Sequence, residues 1–190
     1  MLLALLFLAL SSPTSGQLGS AKSSLGRALC KLETIPSDIK NRLTKEFGPW
    51  KIQEATDLGP LAHKRWTSEK PLACPGIAIG KFDDATRPSY AVLLVPRTHS
   101  DSAYKLLVFS CKTGHPKYDL RVIEQSGGVA PSNLFIHGVR IADFFDDQSR
   151  KKFNPTMEEG ILFVDSTENE YETDVFFWSN RRYQREPVDY

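Results

Sequence analysis

Residues 76–95 read GIAIGKFDDATRPSYAVLLV, which is two apolar runs separated by a polar turn. The runs contain Ile, Val, Leu and Tyr, whereas the segment between them contains the Asp, Thr, Pro and Ser residues that favour turns. This pattern predicts two neighbouring buried strands. Because the connection is too short to hold a crossover helix, the strands are expected to pair antiparallel.

The same pattern continues to the end of the chain. Alternating or continuously apolar runs predict strands at 76–82, 89–96, 103–110, 118–125, 134–141, 160–165, 173–179 and 182–188. The connectors between them are short and rich in turn-forming residues. We therefore expect an α+β domain that consists mainly of antiparallel β-sheet, with about seven or eight strands.

One amphipathic helix is expected before these strands. Four apolar residues recur at intervals of four positions: Ile35, Ile39, Leu43 and Phe47. This spacing places them on one face of a helix, and Gly48-Pro49 supplies a stop signal. The pattern predicts a helix over residues 36–47.

A second, shorter helix is expected over residues 143–152, with Phe144 and Phe145 directed inwards. Its acidic residues come early and its basic residues come late, an order that favours the helix dipole. The polar stretch from 57 to 70 shows no clear period and is interpreted as a loop that carries Trp66.

The amino terminus has the outline of a signal peptide. Residues 1–10 are entirely apolar and residues 11–16 are small and turn-forming. The apolar run is about half the ~20 residues that a transmembrane helix needs. We interpret residues 1–21 as a signal peptide, 22–33 as a flexible lead-in and 34–190 as a single domain, and we expect a secreted or periplasmic protein.

Charge and hydropathy exclude two classes of partner. The chain has 24 basic and 23 acidic residues, a net charge of +1, and the charges are interspersed. This balance does not favour a nucleic-acid partner. After the signal peptide, no apolar run is long enough to predict a membrane span.

Three cysteines would meet an oxidising environment after export. Cys74 precedes the first predicted strand of a three-strand meander and Cys111 follows the third. They are thus expected at opposite ends of the sheet, roughly 15–20 Å apart, beyond the reach of a disulfide. The preferred disulfide is therefore Cys30–Cys74, which leaves Cys111 as a buried thiol.

The strand–turn–strand segment Gly76–Val92 resembles the FG-GAP or VCBS-type motif. Residues 47–50, 160–165 and 175–183 also resemble parts of small exported bacterial proteins of uncharacterised function that carry one copy of this motif. Repeated members of the motif family form propellers, but one copy is visible here, so the resemblance implies a hairpin and not a propeller.

Repeated members of the motif family also bind calcium through side-chain oxygens at alternate positions of the turn. In this chain those positions are Lys81, Asp83, Ala85, Arg87 and Ser89. A single carboxylate with two cations does not suit a calcium site. No cofactor is expected, and Asp83 or Asp84 is expected to hydrogen-bond the local backbone of the turn.

The histidines do not form a recognisable catalytic or metal-binding pattern. Their positions are scattered: His63, His99, His115 and His137. No pair has metal-ligand spacing, and the chain contains neither a nucleophile elbow nor a phosphate-binding loop. His137 lies in a predicted strand and is the one histidine expected to be partly buried. We place it on the face opposite Phe135, and a solvent-facing histidine is favoured there over a catalytic one.

The carboxy-terminal hairpin places aromatic residues beside cations and has two interpretations. In the first, Val175 and Phe177 face one side of a strand and Phe176 and Trp178 face the other, and all are packed in the core. In the second, four residues form a surface that binds a partner, as aromatic and arginine residues do in protein interfaces: Trp178, Arg181, Arg182 and Tyr183.

Two functional hypotheses follow. The favoured one is an exported, non-catalytic domain that binds a protein or an envelope component. The alternative is a small extracytoplasmic hydrolase of unrecognised type. Its acid and base would come from a set that the fold brings together: Asp83, Asp84, His99, His115 and His137.

Overall fold

The computed structural model describes residues 30, 35–69, 73–83, 87–98, 102–111, 117–127, 130–153, 155, 157–167 and 171–189. The expected signal peptide and most of the expected lead-in lie outside these residues. Within the described part of the chain, no helix is long and apolar enough to cross a membrane.

The described residues form two antiparallel sheets and three α-helices. In chain order the elements are α1 (Ser37–Glu46), β1 (Trp50–Ile52), α2 (Pro60–Glu69), β2 (Ile77–Gly80), β3 (Ser89–Pro96), β4 (Ala103–Ser110), β5 (Asp119–Gly127), β6 (Leu134–Arg140), α3 (Asp147–Phe153), β7 (Glu159–Ser166), β8 (Tyr171–Ser179) and β9 (Arg182–Pro187). Sheet A has the order β1-β3-β4-β5, with β2 also paired to β3, and sheet B has the order β6-β7-β8-β9.

The expectation of mainly antiparallel β-structure is confirmed, with nine strands in the described residues instead of seven or eight. The first hairpin has the expected pairing, with Ile77 opposite Val92 and Gly80 opposite Ser89.

The two sheets pack face to face and each carries a helix on its outer face. The cluster between the sheets joins side chains of sheet A, such as Leu106, to side chains of sheet B, such as Phe163 and Phe176. Helix α1 covers the outer face of sheet A with Ile39 and Leu43. The central strands are buried on both faces, which explains why their sequences are continuously apolar instead of alternating.

The predicted disulfide is present. Cys30 and Cys74 are joined with their Cα atoms 4.9 Å apart, and Cys111 is buried outside this bond. The disulfide links the segment before α1 to the segment before β2. It belongs to the cluster that α1 forms with sheet A.

The segment interpreted as a loop over 57–70 contains helix α2, so that prediction was wrong. The helix buries only Ala62 and Trp66, which pack on the outer face of sheet B, and Leu61 is exposed. Two buried positions one turn apart form a narrow apolar stripe, so the spacing of apolar residues does not reveal the helix. An Arg65–Glu69 ion pair at i,i+4 supports the helix instead.

Helix α3 begins at Asp147, four residues later than predicted. The backbone N–H of Ser149 donates a hydrogen bond to Asp146 Oδ1 at 2.7 Å, so Asp146 caps the helix from outside. This hydrogen bond lowers the pKa of Asp146. Phe145 is buried against sheet B as expected, and Phe144 is half-buried.

Candidate functional site

The terminal hairpin, β8 and β9, holds the four residues expected to bind a partner, and two of them, Trp178 and Tyr183, face each other in the ladder one residue pair before the turn is reached. Trp178 is only 5% exposed, and Tyr183 is half-buried. Their rings meet edge to face, with centroids 5.1 Å apart. The expected alternation is present, because Phe176 packs between the sheets while Val175 and Phe177 pack on the outer face of sheet B.

A buried polar cluster from sheet A supports Trp178. The Arg121 guanidinium lies 4.6 Å from the Trp178 ring centroid, a cation–π distance. Arg121 donates a hydrogen bond of 2.6 Å to Asp83 Oδ2, and Ser89 donates one of 3.0 Å to Asp83 Oδ1. Both carboxylate oxygens of Asp83 thus accept hydrogen bonds from side chains, and the expectation that Asp83 or Asp84 bonds the local backbone stays a prediction. The Asp83 carboxylate ties the first hairpin to β5 and, through Arg121, to the terminal hairpin.

The tip of the terminal hairpin is exposed and cationic. Ser179 pairs with Arg182, so the loop consists of Asn180 and Arg181 alone. Both loop residues have positive φ, 52° and 63°, as a type I′ turn requires. Arg181 and Arg182 are exposed, and neither forms an ion pair with a described residue. The tip thus presents two adjacent guanidinium groups to solvent.

The third arginine of the hairpin, Arg185, forms ion pairs with acidic residues of the same chain. Arg185 Nη2 donates to Asp174 Oδ2 at 2.8 Å, and Nη1 lies 3.6 Å from Glu124 Oε2 of sheet A. The hydrogen bond to Asp174 raises the pKa of Arg185. Burial raises the pKa of the neighbouring Tyr104 hydroxyl. These ion pairs link the two sheets. Arg185 therefore differs from Arg181 and Arg182 at the tip, which form no ion pair with a described residue.

His137 does not face solvent on the side opposite Phe135. Residues two apart in a strand share a face, and the His137 ring stacks on Phe135 with centroids 6.4 Å apart. The His137 side chain is only 6% exposed, and its Nε2 lies 3.2 Å from Glu69 Oε2 of α2. Sequence reasoning missed Glu69 because the stretch that contains it had been interpreted as a loop.

The carboxylate of Glu69 is held by two cationic or donor side chains. Burial on its own would raise the pKa of Glu69, but the hydrogen bonds with His137 and Arg65 outweigh burial and lower it. The Arg65 bond is 2.8 Å long. An ionised Glu69 therefore fastens α2 to β6, and the pair is also an arrangement that general acid–base chemistry uses.

Two residues of the alternative hydrolase set, Asp83 and His137, lie in the described part of the chain. Asp83 is bonded to Arg121 and Ser89, as above. Asp84, His99 and His115 lie outside the described residues. His63 is exposed on α2 beside Trp66. In the described part of the chain, no group of three or more His, Cys, Asp or Glu residues is arranged to hold a metal ion.

Comparison with known proteins identifies no relative: no protein family, no curated protein and no solved structure matches this chain. The resemblance to the FG-GAP or VCBS-type motif stays a prediction.

Proposed function

We propose that this chain is an exported, non-catalytic binding domain whose terminal hairpin contacts an acidic protein or envelope component. The observation that carries the proposal is the exposed pair Arg181 and Arg182 at the hairpin tip, which meets no acidic partner among the described residues. Guanidinium groups form bidentate hydrogen bonds to carboxylate and phosphate, so an acidic partner suits them.

The packing of Trp178 beside the turn favours binding because it holds the hairpin tip in one position. Trp178 is buried, stacked on Arg121 and packed against Tyr183. Binding to such a tip costs little conformational entropy because the backbone is already ordered. Within the partner surface predicted from sequence, the two arginines are the contact groups, and Trp178 and Tyr183 are the support.

The backbone of Arg181 adds a second argument. Its φ of 63° lies in the left-handed region, which costs a residue other than glycine about 1–2 kcal/mol. Residues held in such conformations are concentrated at functional sites. An arginine in place of the glycine that a type I′ turn prefers is consistent with a role for its side chain in binding.

Export is part of the proposal. The apolar residues 1–10 have the composition of a signal peptide, and the Cys30–Cys74 disulfide suits an oxidising compartment. A secreted or periplasmic location in a bacterium is the compartment that accounts for both features. The motif resemblance of Gly76–Val92 points to the same group of exported proteins.

The Glu69–His137 pair favours the alternative, a small hydrolase, as a second candidate. A carboxylate 3.2 Å from an imidazole is a common catalytic pairing. Against it, α2 covers the face of β6 that carries His137, and the ring is almost fully buried. The alternative predicts hydrolysis of a simple activated ester such as p-nitrophenyl acetate that disappears in the His137→Gln variant.

The binding proposal is tested by affinity capture. The full chain is immobilised and exposed to envelope and secreted extracts of its source, and retained material is identified by mass spectrometry. We expect one stoichiometric partner that is released by added salt, because salt screens exposed charge pairs. The double variant Arg181→Ala, Arg182→Ala is expected to retain at least about tenfold less, a loss of 1.4 kcal/mol or more.

The charge-matched control is the double variant Lys64→Ala, Arg150→Ala, which removes two exposed cations from α2 and α3. This variant should retain the partner as the unmodified chain does. Equal retention by the Arg181→Ala, Arg182→Ala variant would show that the hairpin tip does not bind, and equal loss in the control would show that only overall charge matters.

A further inference from the structure

Arg121 lies beside the tip of the terminal hairpin although it belongs to the other sheet. It is on β5, the last strand in the order of sheet A, and pairs with Val108, which packs between the sheets. Its guanidinium carbon is 4.6 Å from the centroid of the Trp178 ring. Trp178 comes three residues before Arg181, which is at most about 10 Å of extended chain. Arg121 is therefore within reach of a ligand that also contacts the tip.

The guanidinium group of Arg121 is held in one orientation. It lies over the Trp178 ring, and its Nη1 atom donates to Asp83 Oδ2 at 2.6 Å and to Ser110 Oγ at 3.3 Å. The Asp83 side chain is only 1% exposed, and its second oxygen accepts a hydrogen bond from Ser89. A ligand of Arg121 would therefore meet a group that is already ordered, which lowers the entropy cost of binding.

The other edge of the guanidinium group is open. The side-chain hydrogen bonds of Arg121 all use Nη1, so Nε and Nη2 donate to no partner among the described residues. No Arg121 nitrogen is among the buried polar atoms that lack a hydrogen bond, and 27% of the side chain is exposed. Nε and Nη2 therefore reach solvent. These N–H groups form one side of the planar fork, which pairs with both oxygens of a carboxylate.

We infer that Arg121 is a third contact residue of the proposed binding surface and that it receives a carboxylate of an acidic peptide through Nε and Nη2. The inference rests on the proposed function for the position of the partner, whose further acidic side chains contact Arg181 and Arg182. Acidic residues two or three positions apart in an extended segment are separated by about 7–10 Å, a spacing similar to that between Trp178 and Arg181.

The surroundings of Arg121 select this class of ligand. The buried Asp83 carboxylate balances the charge of Arg121, so the open edge offers directed hydrogen bonds with little net positive charge. A singly charged carboxylate is therefore favoured over a phosphomonoester, whose charge of about −2 is repelled more strongly by Asp83. Trp178 is only 5% exposed, so its ring is not open to stack on a sugar. An acidic peptide thus fits better than a phosphopeptide or a polyuronate.

The test is an NMR titration of the ¹⁵N-labelled full chain with a hexaglutamate peptide, with a hexaglutamine peptide as the neutral control. The Nε–H signals of the arginine side chains report each guanidinium group separately. We expect saturable shifts of the Arg121, Arg181 and Arg182 signals with hexaglutamate and none with hexaglutamine. Shifts of the Arg181 and Arg182 signals without Arg121 would overturn the inference and leave the proposed function intact. A shift of the Arg121 signal alone would support the Arg121 site and contradict the proposed function, and no shift at all would overturn both.

A conservative variant separates the planar fork of Arg121 from its charge. Arg121→Lys keeps a cation opposite Asp83 but removes the fork, so hexaglutamate should bind about three- to tenfold more weakly. The same exchange at the exposed Arg150 of α3 should have no effect. Undiminished binding by Arg121→Lys would contradict the bidentate contact, and if this variant does not fold, the Arg121 signal of the unmodified chain decides.

Two further probes test the class of ligand. A phosphoserine peptide of similar total charge and hexagalacturonate should each bind more weakly than hexaglutamate. Equal or tighter binding of either probe would overturn the assignment of an acidic peptide.

Discussion

Asp165 illustrates at the residue scale how burial acts on one carboxyl group. Its Oδ1 atom is buried and accepts no hydrogen bond from a described residue. Burial, and then the charge of Glu172, raise the pKa of Asp165. The folded state therefore holds the proton more tightly than the unfolded state, and the stability that this group contributes is lost as the pH rises through its folded-state pKa.

Asp165→Asn should accordingly stabilise the protein at pH 7, because it removes a poorly solvated charge. We expect a rise in Tm of about 1–3 °C, which corresponds to less than ~1 kcal/mol for a chain of this size. The gain should shrink as the pH falls towards the ordinary aspartate pKa of about 3.9. Thermal unfolding followed by circular dichroism measures it.

Asp189→Asn is the control for Asp165→Asn, because Asp189 is exposed and lies outside every helix. This substitution should leave Tm nearly unchanged at both pH values. A fall in Tm for Asp165→Asn at pH 7 would mean that the Asp165 charge has a stabilising role that burial does not reveal.

At the scale of single elements, one substitution in the terminal hairpin is expected to have opposite effects on stability and on the proposed binding. Arg181→Gly should raise the free energy of unfolding by about 0.5–1.5 kcal/mol, because glycine adopts the left-handed conformation without steric cost. The same variant should weaken capture of the partner because it removes one of the two exposed guanidinium groups. Urea unfolding and affinity capture on the same preparation measure the two effects.

Arg182→Gly is the comparison for Arg181→Gly, since Arg182 begins strand β9. Glycine in a strand is expected to lower the free energy of unfolding by about 0.5–1 kcal/mol. If both substitutions changed stability in the same direction, the positive φ of Arg181 would not be the source of the gain.

The disulfide stabilises the packing of α1 on sheet A. Cys30 and Cys74 are 44 residues apart in sequence, and a bond across a loop of that length stabilises a protein by about 3–4 kcal/mol in the chain-entropy account. The double variant Cys30→Ser, Cys74→Ser should lose stability of this order in urea unfolding. Reductant should destabilise the unmodified chain by a similar amount and leave the double variant unchanged; a reductant effect on the double variant would implicate another bond.

At the scale of the whole molecule, the outer helices are not attached equally strongly to the two sheets. Helix α2 meets sheet B through Ala62 and Trp66, and the Glu69 pairings supplement this narrow apolar contact. Because the pKa of Glu69 is lowered in the folded state, the stability it contributes is present above its unfolded-state pKa of about 4.3 and is lost as the pH falls through the lower folded-state value.

Glu69→Gln should therefore destabilise the protein at pH 7 by about 1.5–3 kcal/mol, the scale of a hydrogen bond to a charged group, and the difference should disappear in acid. Amide hydrogen exchange should accelerate in α2 before it accelerates in the sheets. Glu46→Gln removes an exposed i,i+4 pair with Arg42 from α1 and should cost no more than about 0.5 kcal/mol. Equal losses in both variants would remove the special role of the His137 contact.

Much of the local structure could be predicted from the sequence, whereas the contacts between distant residues could not. Strand positions and antiparallel pairing follow from period and turn chemistry, which act over a few residues. Helix α2 was missed because its buried stripe is only Ala62 and Trp66, and its remaining support, Glu69 with His137, joins positions far apart in sequence. The sequence analysis assigned His137 to the wrong face of its strand, because residues two apart in a strand, such as Phe135 and His137, share a face.

The sequence by itself determined the antiparallel strands, the disulfide pair and the cationic composition of the terminal hairpin. Each of these depends on local patterns or on the small number of possible cysteine pairs. Only the tertiary structure decided that the strands divide into two facing sheets, that Asp83 bonds Arg121 beneath Trp178, and that His137 lies beside Glu69. The physical reason is that burial and hydrogen-bond partners depend on residues that only folding brings together.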